Sequence, residues 1–408
     1  MRIAIDAMGG DKAPDEVVAG AVAAAHDFNV EVILVGDEEA IRRCLQAKSA
    51  ASKGTHMKHG ALPPGVSIHH STQGVGMDEA PMQAMRKKPD SSVAVATRLH
   101  AEGKADAVLS AGNTGAAAAL ALFSLKRIAG IDRPGIATVF PTQKNPLILM
   151  DAGANVDCRP RHLAEFAIMG AAYASTVEGI IPGTGGCISQ GSSPTVGLLS
   201  IGEESTKGND LTKASYKLLK ENATAGAYHF YGNVEGRDIG MGTVDVVVCD
   251  GFVGNVVLKV AEGFAKMFAI ELRAALTRNL RAKLGALLLR PSLMGFRKRL
   301  DYTEYGGALL LGVNGVCVIC HGSSDHRSIY SAIRIAKQTV QADIVGTIRR
   351  NIESASEETT AHEQAIEEEI KSGHFHEELK SAALRQNGQN GLEAEGVGEN
   401  GVVPPVNF

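Results

Sequence analysis

Residues 105–116 read ADAVLSAGNTGA and contain, in order, the three parts from which the fold is built. Ala105–Ser110 is a short, largely apolar run, which is typical of a strand that is covered on both faces. The turn Gly112–Gly115 follows at once, and its small and polar residues favour the start of a helix. A strand that passes through such a turn into a helix is the repeating unit of a doubly wound α/β fold.

The same unit recurs along the chain, because short apolar or β-branched runs alternate with stretches of helical periodicity. The pattern predicts an α/β fold with a doubly wound, mostly parallel sheet. The predicted strands are Arg2–Ala7, Glu31–Gly36, Ser67–Ser71, Ala105–Ser110, Gly135–Val139, Leu147–Met150, Thr195–Ser200, Val244–Cys249 and Val316–Cys320.

Length and composition indicate a large folded protein. Of the 408 residues, 44% are hydrophobic and 21% are charged, so the chain can bury a sizeable core. Its 46 glycines and its lack of tryptophan suit an enzyme with many tight turns better than a protein that stacks bases on aromatic rings. We expect residues 1–350 to form a single large catalytic domain and residues 351–408 to be an acidic, disordered tail. The stretches 47–60 and 183–194 are predicted surface loops.

Charge is distributed unevenly along the chain. Residues 351–408 hold 12 Asp and Glu against 3 Lys and Arg, a net charge of −9, whereas the preceding residues hold 38 basic and 33 acidic side chains, a net charge of +5. A mildly basic body suits an anionic partner but is too weakly charged to predict a nucleic-acid partner. Because no signal peptide opens the chain and no uncharged apolar run reaches about 18 residues, we expect a cytoplasmic protein without a transmembrane helix.

Turns rich in Gly, Asn, Asp, Ser and Lys follow six of the predicted strands. Each turn alone is explained by ordinary turn and capping chemistry. In an open α/β sheet, however, ligands bind beyond the carboxyl ends of the strands, so six such turns predict an anion site along one edge. The candidate residues at this edge are Asp6, Gly9, Gly10, Asn113, Thr114, Gly115, Asp151, Asn155, Glu203, Ser205, Lys207, Gly208, Asp250 and Asn255.

Two of these turns are the best candidates for binding phosphate. Gly112–Gly115 offers backbone donors at a helix start, and Glu203–Gly208 adds the ammonium of Lys207. Neither turn is a Walker A loop, and no Gly-x-Gly-x-x-Gly follows a strand, so no nucleotide cofactor is predicted. Cys317, Cys320 and His321 match a haem-attachment pattern, but both cysteines lie in a predicted buried strand of a chain that is not exported. No further Cys or His pair has zinc-ligand spacing, and we expect no metal.

Residues 273–299 carry eight Lys and Arg and no acidic residue. One interpretation is a packed helical hairpin at the surface. The other is an exposed apolar tip, bent at Pro291 and flanked by cations, which suits an anionic membrane face or an acidic protein. The residues we select for such docking are Leu287, Leu288, Arg297 and Lys298.

Taken together, several of these segments resemble the PlsX family, the acyl-carrier-protein:phosphate acyltransferases of bacterial phospholipid synthesis. The resemblance extends over roughly residues 1–345 and does not include the loop 183–194 or the tail. The segments are IAIDAMGGDKAP at 3–14, LSAGNTGA at 109–116, MDAGANVDC at 150–158, GLLSIGEESTKGND at 197–210, GNVEGRDI at 232–239 and DVVVCDGFVGNVVLK at 245–259.

The resemblance implies a fold similar to phosphotransacetylases and isocitrate-type dehydrogenases, a homodimer, and no cofactor. The implied substrates are inorganic phosphate and the phosphopantetheine thioester of a long-chain acyl-carrier protein, and the products are acyl phosphate and free carrier. The product would pass to a membrane glycerol-3-phosphate acyltransferase, and the enzyme would sit peripherally on the inner face of the membrane.

This chemistry gives the candidate residues provisional roles. Phosphate is already an anionic nucleophile, so no covalent enzyme intermediate is required, and the site must position phosphate and stabilise an oxyanion. We assign phosphate to Asn113, Thr114 and Gly115 together with Ser205 and Lys207. We expect Lys207 or Arg237 to face the oxyanion, and Asp250 and Asn255 to orient the phosphate proton or the lysine.

Two alternatives stay open. A relative of the same fold could use small acyl-CoA thioesters, as a phosphotransacetylase does. A catalytically inactive scaffold that docks a carrier protein or a membrane is a different class of protein, and a turnover assay separates the three.

Overall fold

The computed structural model describes residues 1–51, 62–176, 193–223, 226–300 and 306–355. Most of the predicted loops 47–60 and 183–194, and nearly all of the predicted tail, lie outside these residues. Residues 47–51, which were predicted to begin a loop, form the end of a helix. The described chain continues in a helix over residues 344–355, in which Ile352 and Ala355 are buried. The folded part therefore extends past the predicted boundary at residue 350.

Eleven strands of the described residues form one sheet, with the order β3-β2-β1-β4-β11-β10-β5-β6-β9-β7-β8. All nine predicted strands are present, and two more were not predicted. The strands are β1 (Arg2–Asp6), β2 (Glu31–Gly36), β3 (Val66–His70), β4 (Ala107–Ser110), β5 (Gly135–Phe140), β6 (Leu147–Met150), β7 (Thr195–Leu199), β8 (His229–Val234), β9 (Val246–Val248), β10 (Ala308–Leu311) and β11 (Val316–Ile319).

Helices alternate with these strands and cover both faces of the sheet, as a doubly wound fold requires. They are α1 (Asp15–Phe28), α2 (Glu38–Ala51), α3 (Pro81–Lys87), α4 (Ser92–Ala101), α5 (Thr114–Leu125), α6 (Pro160–Thr176), α7 (Asp210–Asn222), α8 (Gly236–Met241), α9 (Gly251–Thr277), α10 (Leu280–Leu300) and α11 (His326–Gln341), followed by the helix over residues 344–355. The predicted fold class is confirmed.

The strands of the two halves of the sheet run in opposite directions. β3, β2, β1, β4 and β11 are parallel to one another, and so are β6, β9, β7 and β8. Between these groups lie three antiparallel pairings, β11 with β10, β10 with β5, and β5 with β6. Three reversals leave the two groups antiparallel, so their carboxyl ends lie at opposite edges of the sheet. The prediction of one edge shared by six turns is therefore wrong.

The two faces of the sheet have different cores, because side chains along each strand alternate between them. On one face a single apolar cluster runs under α1, α2, α6 and α11 and includes Ile5, Leu109, Val139, Met150 and Val248. On the other face the core is divided. One cluster lies under α4 and α5, and another lies under α8 and the start of α9. The two clusters of the divided face meet between β5 and β6, which is one of the three antiparallel pairings.

α9 and α10 form a helical hairpin whose apolar side chains are largely exposed. The chain turns at Arg278 and Asn279, where the Asn279 side chain accepts a hydrogen bond from the Ala282 N–H at 2.8 Å and caps α10. Pro291 lies inside α10 and the chain reverses at Arg278 and Asn279, so the prediction that the hairpin turns at Pro291 is wrong. Leu287 and Leu288 are 63% and 77% exposed. The side chains of Arg297 and Lys298, in the last turn of α10, lie outside the described part. No described helix is long and apolar enough to cross a membrane.

Candidate functional site

Asp151 organises the loop at the carboxyl end of β6. Its carboxylate is fully buried and accepts the backbone N–H of Ile136 at 3.0 Å, of Gly153 at 3.1 Å and of Ala154 at 3.0 Å. The other oxygen accepts both the backbone N–H of Asn155 at 2.7 Å and its side-chain amide at 2.9 Å. Both oxygens are occupied, so Asp151 and Asn155 hold the loop.

This loop fixes the start of α9. The Gly251 N–H donates to the Asn155 carbonyl at 2.7 Å, and the Asp250 side chain caps the helix by accepting the Val253 N–H at 2.9 Å. A Cβ on Gly254 would lie 1.9 Å from the Asp151 carbonyl oxygen, so only glycine permits the approach. One turn in, Asn255 is exposed beside Gly153. Asn255 therefore lies in the first turns of α9, at the same edge as the turn that follows β7.

The turn after β7 presents Lys207. The Lys207 N–H donates to the Glu204 carbonyl at 3.0 Å, and the lysine side chain is exposed, as is Ser205 within the turn. Gly208 has φ of 102°, and a Cβ there would lie 2.0 Å from Thr212 Oγ1, so the tight entry into α7 requires glycine. The structure thus places Lys207 on a short turn that is defined by a backbone hydrogen bond and by a glycine.

Arg237 lies near this turn but is paired with acidic groups. One guanidinium nitrogen contacts Glu203 Oε1 at 2.9 Å, and another contacts Glu235 Oε2 at 3.2 Å. The hydrogen bond that Arg237 donates to Glu203, followed by the charge of Glu235, raises the pKa of Arg237. Between the two residues considered for the oxyanion, the arrangement favours Lys207, because Arg237 would have to leave two carboxylates.

At the opposite edge, Asp6 is the centre of a buried turn. Its carboxylate is 2% exposed and accepts Ser110 Oγ at 2.7 Å and the Met8 N–H at 3.2 Å, while burial raises its pKa. A Cβ on Gly9 would lie 2.4 Å from Asp6 Oδ2, and Gly10 has φ of 106°. Asp6, Gly9 and Gly10 therefore build the turn between β1 and α1.

Asn113 caps α5 with one end of its amide and clamps a loop with the other. Its oxygen accepts the Ala116 N–H at 2.9 Å, and its nitrogen donates to the carbonyls of Met77 at 2.8 Å and Glu79 at 2.9 Å. The side chain is committed to the scaffold, whereas Thr114 and Gly115 are exposed in the first turn of the helix.

The predicted site residues thus fall into two groups. Asp6, Gly9, Gly10, Asn113, Thr114 and Gly115 lie at one sheet edge, and the candidates from Asp151 to Asn255 lie at the other. The assignment of Thr114 and Lys207 to one phosphate cradle at a shared edge is therefore wrong. The second group contains Lys207 and Arg237, so it is better suited to an anion.

The family model described as "Fatty acid synthesis protein" matches residues 1–346. The chain belongs to this family. Phosphate acyltransferases of Desulforamulus reducens and Pelotomaculum thermopropionicum are each 49% identical to it over 354 residues. These alignments cover 87% of this chain and 98% and 96% of the two relatives. The resemblance to the PlsX family is confirmed, and the chain is an enzyme of the phosphate acyltransferase family.

Solved structures of similar fold support the architecture. The EutD phosphotransacetylase from Staphylococcus aureus has a TM-score of 0.53 at 16% identity, with 83% of this chain and 94% of that chain covered. A phosphotransacetylase from Streptococcus pyogenes also has a TM-score of 0.53, at 17% identity, with 84% and 94% covered. At such identities the likeness establishes the fold, and the predicted similarity to phosphotransacetylases is confirmed.

The two cysteines near the candidate site are poor nucleophiles. Cys249 follows β9, and Cys158 lies near the Asp151 loop. Burial raises the pKa of Cys249 well above its usual range and that of Cys158 to about 12. Both thiols therefore stay protonated at neutral pH, so neither is available as a thiolate nucleophile.

Sequence reasoning missed Asn233 and Ser200. Asn233 lies in β8, which was not predicted, and its side-chain amide donates to the Glu204 carbonyl at 2.7 Å. Ser200 follows β7, and its hydroxyl oxygen is buried beside Gly208. The quoted segment GNVEGRDI contained Asn233, and recognising that segment as a strand end would have placed it beside the Lys207 turn.

Proposed function

We propose that the chain transfers the acyl group of a long-chain acyl-[acyl-carrier protein] to inorganic phosphate, for phospholipid synthesis. The observation that carries the proposal is the exposed ammonium of Lys207 on its fixed turn, at the sheet edge where α9 presents Asn255. Transfer to phosphate is supported by the two relatives named phosphate acyltransferase, because their alignments with this chain cover 98% and 96% of their length.

In the proposed reaction, a phosphate oxygen attacks the thioester carbonyl carbon. The new C–O bond forms, the C–S bond breaks, and the electron pair leaves on sulfur, which takes a proton from solvent. A thiol pKa of about 8.5 makes this departure easy without a strong acid. Lys207 would balance the charge of phosphate and of the developing oxyanion, while Ser205 and the Asn255 amide would orient phosphate. We propose neither a metal nor an organic cofactor.

The hairpin of α9 and α10 would bring the enzyme to its acyl substrates. Exposed Leu287 and Leu288 accompany the exposed cations Arg278, Arg281 and Lys283, and Arg297 and Lys298 follow in sequence. Apolar side chains with flanking cations suit an anionic membrane surface. We propose reversible binding to the inner face of the membrane, where the product would meet a glycerol-3-phosphate acyltransferase.

A homodimer is part of the proposal. α9 exposes Phe252, Val256, Val260 and Phe264 at intervals of four residues, so they form one stripe along the helix. A stripe of this kind is normally covered, and a second copy of the chain is the partner we propose for it.

The test is turnover with matched thioesters. Purified enzyme would be supplied with phosphate and either palmitoyl-[acyl-carrier protein], palmitoyl-CoA or acetyl-CoA, and acyl phosphate would be trapped as the hydroxamate. We expect efficient turnover with the carrier-protein thioester. Preference for acetyl-CoA would favour the phosphotransacetylase alternative, for which the shared fold is the specific argument. Absence of turnover with all three would favour the scaffold.

A further inference from the structure

A buried amide holds the turn that carries Lys207. Asn233 is 3% exposed in β8, and its Nδ2 donates to the Glu204 carbonyl at 2.7 Å. The same carbonyl accepts the Lys207 N–H at 3.0 Å. One carbonyl oxygen thus joins a side chain of the sheet to the backbone of the lysine.

Besides Asn233, the body of the protein reaches the turn through the ion pair of Arg237 with Glu203 at 2.9 Å. Glu203, Glu204, Ser205 and Lys207 are all exposed, whereas Gly202 is buried. A Cβ on Gly202 would lie 2.9 Å from Lys207 Cγ, so the stem of the lysine runs close over this glycine. The backbone and the base of the lysine side chain are therefore positioned by the Glu204 carbonyl and by Gly202 beneath the stem.

The other end of the amide has no structural use among the described residues. Asn233 Oδ1 is buried and has no hydrogen-bond partner in that part of the chain. A buried acceptor without a partner lowers stability, so an asparagine is a poor choice for packing alone. Residues that break such a local rule occur most often where function requires them.

We propose that Asn233 is a positioning residue: it fixes the Glu204–Lys207 turn so that the Lys207 ammonium meets phosphate or the oxyanion. The inference rests on the function proposed above, and it adds a residue that acts through Lys207 without touching substrate. Misplacing a reacting group by about 1 Å can lower a rate by about 100-fold. Loss of the hydrogen bond from Asn233 to the Glu204 carbonyl should therefore lower the rate of turnover.

Hydrogen exchange tests the positioning without any turnover. Asn233→Ala removes the amide, and Asn233→Asp keeps its shape but loses the donor. In both variants the Lys207 amide should exchange at least about 10-fold faster than in the wild type. The matched control is Thr195→Ala, which removes a hydroxyl that donates to Asp245 at 2.6 Å at the start of β7. Unchanged exchange at Lys207 in both Asn233 variants would overturn the inference.

A double-mutant cycle tests whether the effect passes through Lys207. Each Asn233 variant should lower kcat/KM for phosphate by about 10- to 100-fold in the wild-type background, and by less than about 3-fold when Lys207→Ala is already present. Thr195→Ala should show no such coupling. Equal losses in both backgrounds would mean a general structural effect and would overturn the inference. A silent Lys207→Ala would instead count against the proposed function, and the exchange rates would keep the two failures apart.

Discussion

At the scale of single residues, Lys207 is the side chain on which the proposed chemistry depends most. Replacing it with alanine should lower kcat/KM for phosphate by about 10²–10³, the usual loss for one donor to a developing charge. Its side chain is exposed on a turn, so the melting temperature should be unchanged. Lys220→Ala, which removes an exposed lysine at the end of α7, is the control for general charge effects. Near-wild-type turnover at saturating phosphate would remove Lys207 from the site.

Asn113 should matter for stability more than for phosphate binding. Its amide caps α5 and holds the carbonyls of Met77 and Glu79. Asn113→Ala should lower the free energy of unfolding by about 2 kcal/mol, whereas Thr114→Ala, in the exposed first turn, should change it by less than about 0.5 kcal/mol. Urea denaturation measures both. A normal stability for Asn113→Ala, with a raised KM for phosphate, would restore the predicted ligand role.

Asp6 should make stability depend on pH. Burial raises the pKa of Asp6, so the folded state favours its protonated form. The group therefore stabilises the fold at low pH, and this contribution is lost as pH rises from the ordinary value of 3.8 through the raised value. Asp6→Asn cannot ionise. Urea denaturation between about pH 4 and 7 should show the variant gaining stability relative to the wild type as pH rises, and parallel curves would contradict this.

At the scale of elements, the hairpin of α9 and α10 gives the clearest test. Full burial of one leucine side chain is worth about 1.5–3 kcal/mol, and each cation near an anionic leaflet adds about 1 kcal/mol. Leu287→Glu with Leu288→Glu should release the enzyme from anionic vesicles and leave turnover on soluble acyl-carrier protein within about twofold. Vesicles of neutral lipid are the control. If the KM for the carrier rises instead, the hairpin docks the carrier protein.

The sequence predicted elements well where apolar runs were separated by turns. β8 was missed because its segment HFYGNV is polar at several positions, and β10 because it lies in the same apolar stretch as β11. In the hairpin, Pro291 was taken as the bend. Asn279 instead supplies a helix cap and so decides where α10 begins.

At the scale of the whole molecule, the fold class followed from the alternation of strands and helices, but the geometry of the candidate site did not. Alternation says nothing about the direction of a strand. The four-residue β10 pairs antiparallel with both neighbours, and β5 then pairs antiparallel with β6. These pairings place Asn113 and Lys207 at opposite edges. They arise from contacts distant in sequence, which residue patterns do not encode.

The extent of the fold can be tested by truncation. Ile344, Ile348 and Ile352 are buried against the continuous core, so a chain ending at residue 343 should be unstable or insoluble. A chain ending at residue 355 should keep its turnover and its state of association, because residues 356–408 contain few apolar residues. Thermal melts, light scattering and the phosphate assay check both. Loss of soluble protein in the longer truncation would contradict this expectation.

The divided core has a consequence for how the molecule opens. The undivided face ties both halves of the sheet together, so neither half can unfold without exposing the other. On the divided face, Gly251 and Gly254 of α9 are buried, and Val257 and Leu258 pack against the core. Beyond Leu258 most described side chains of α9 and α10 are exposed. We therefore expect the part of the hairpin beyond Leu258 to move against the sheet while the start of α9 stays fixed, so that an enzyme with a rigid catalytic edge carries one segment able to follow a deformable surface.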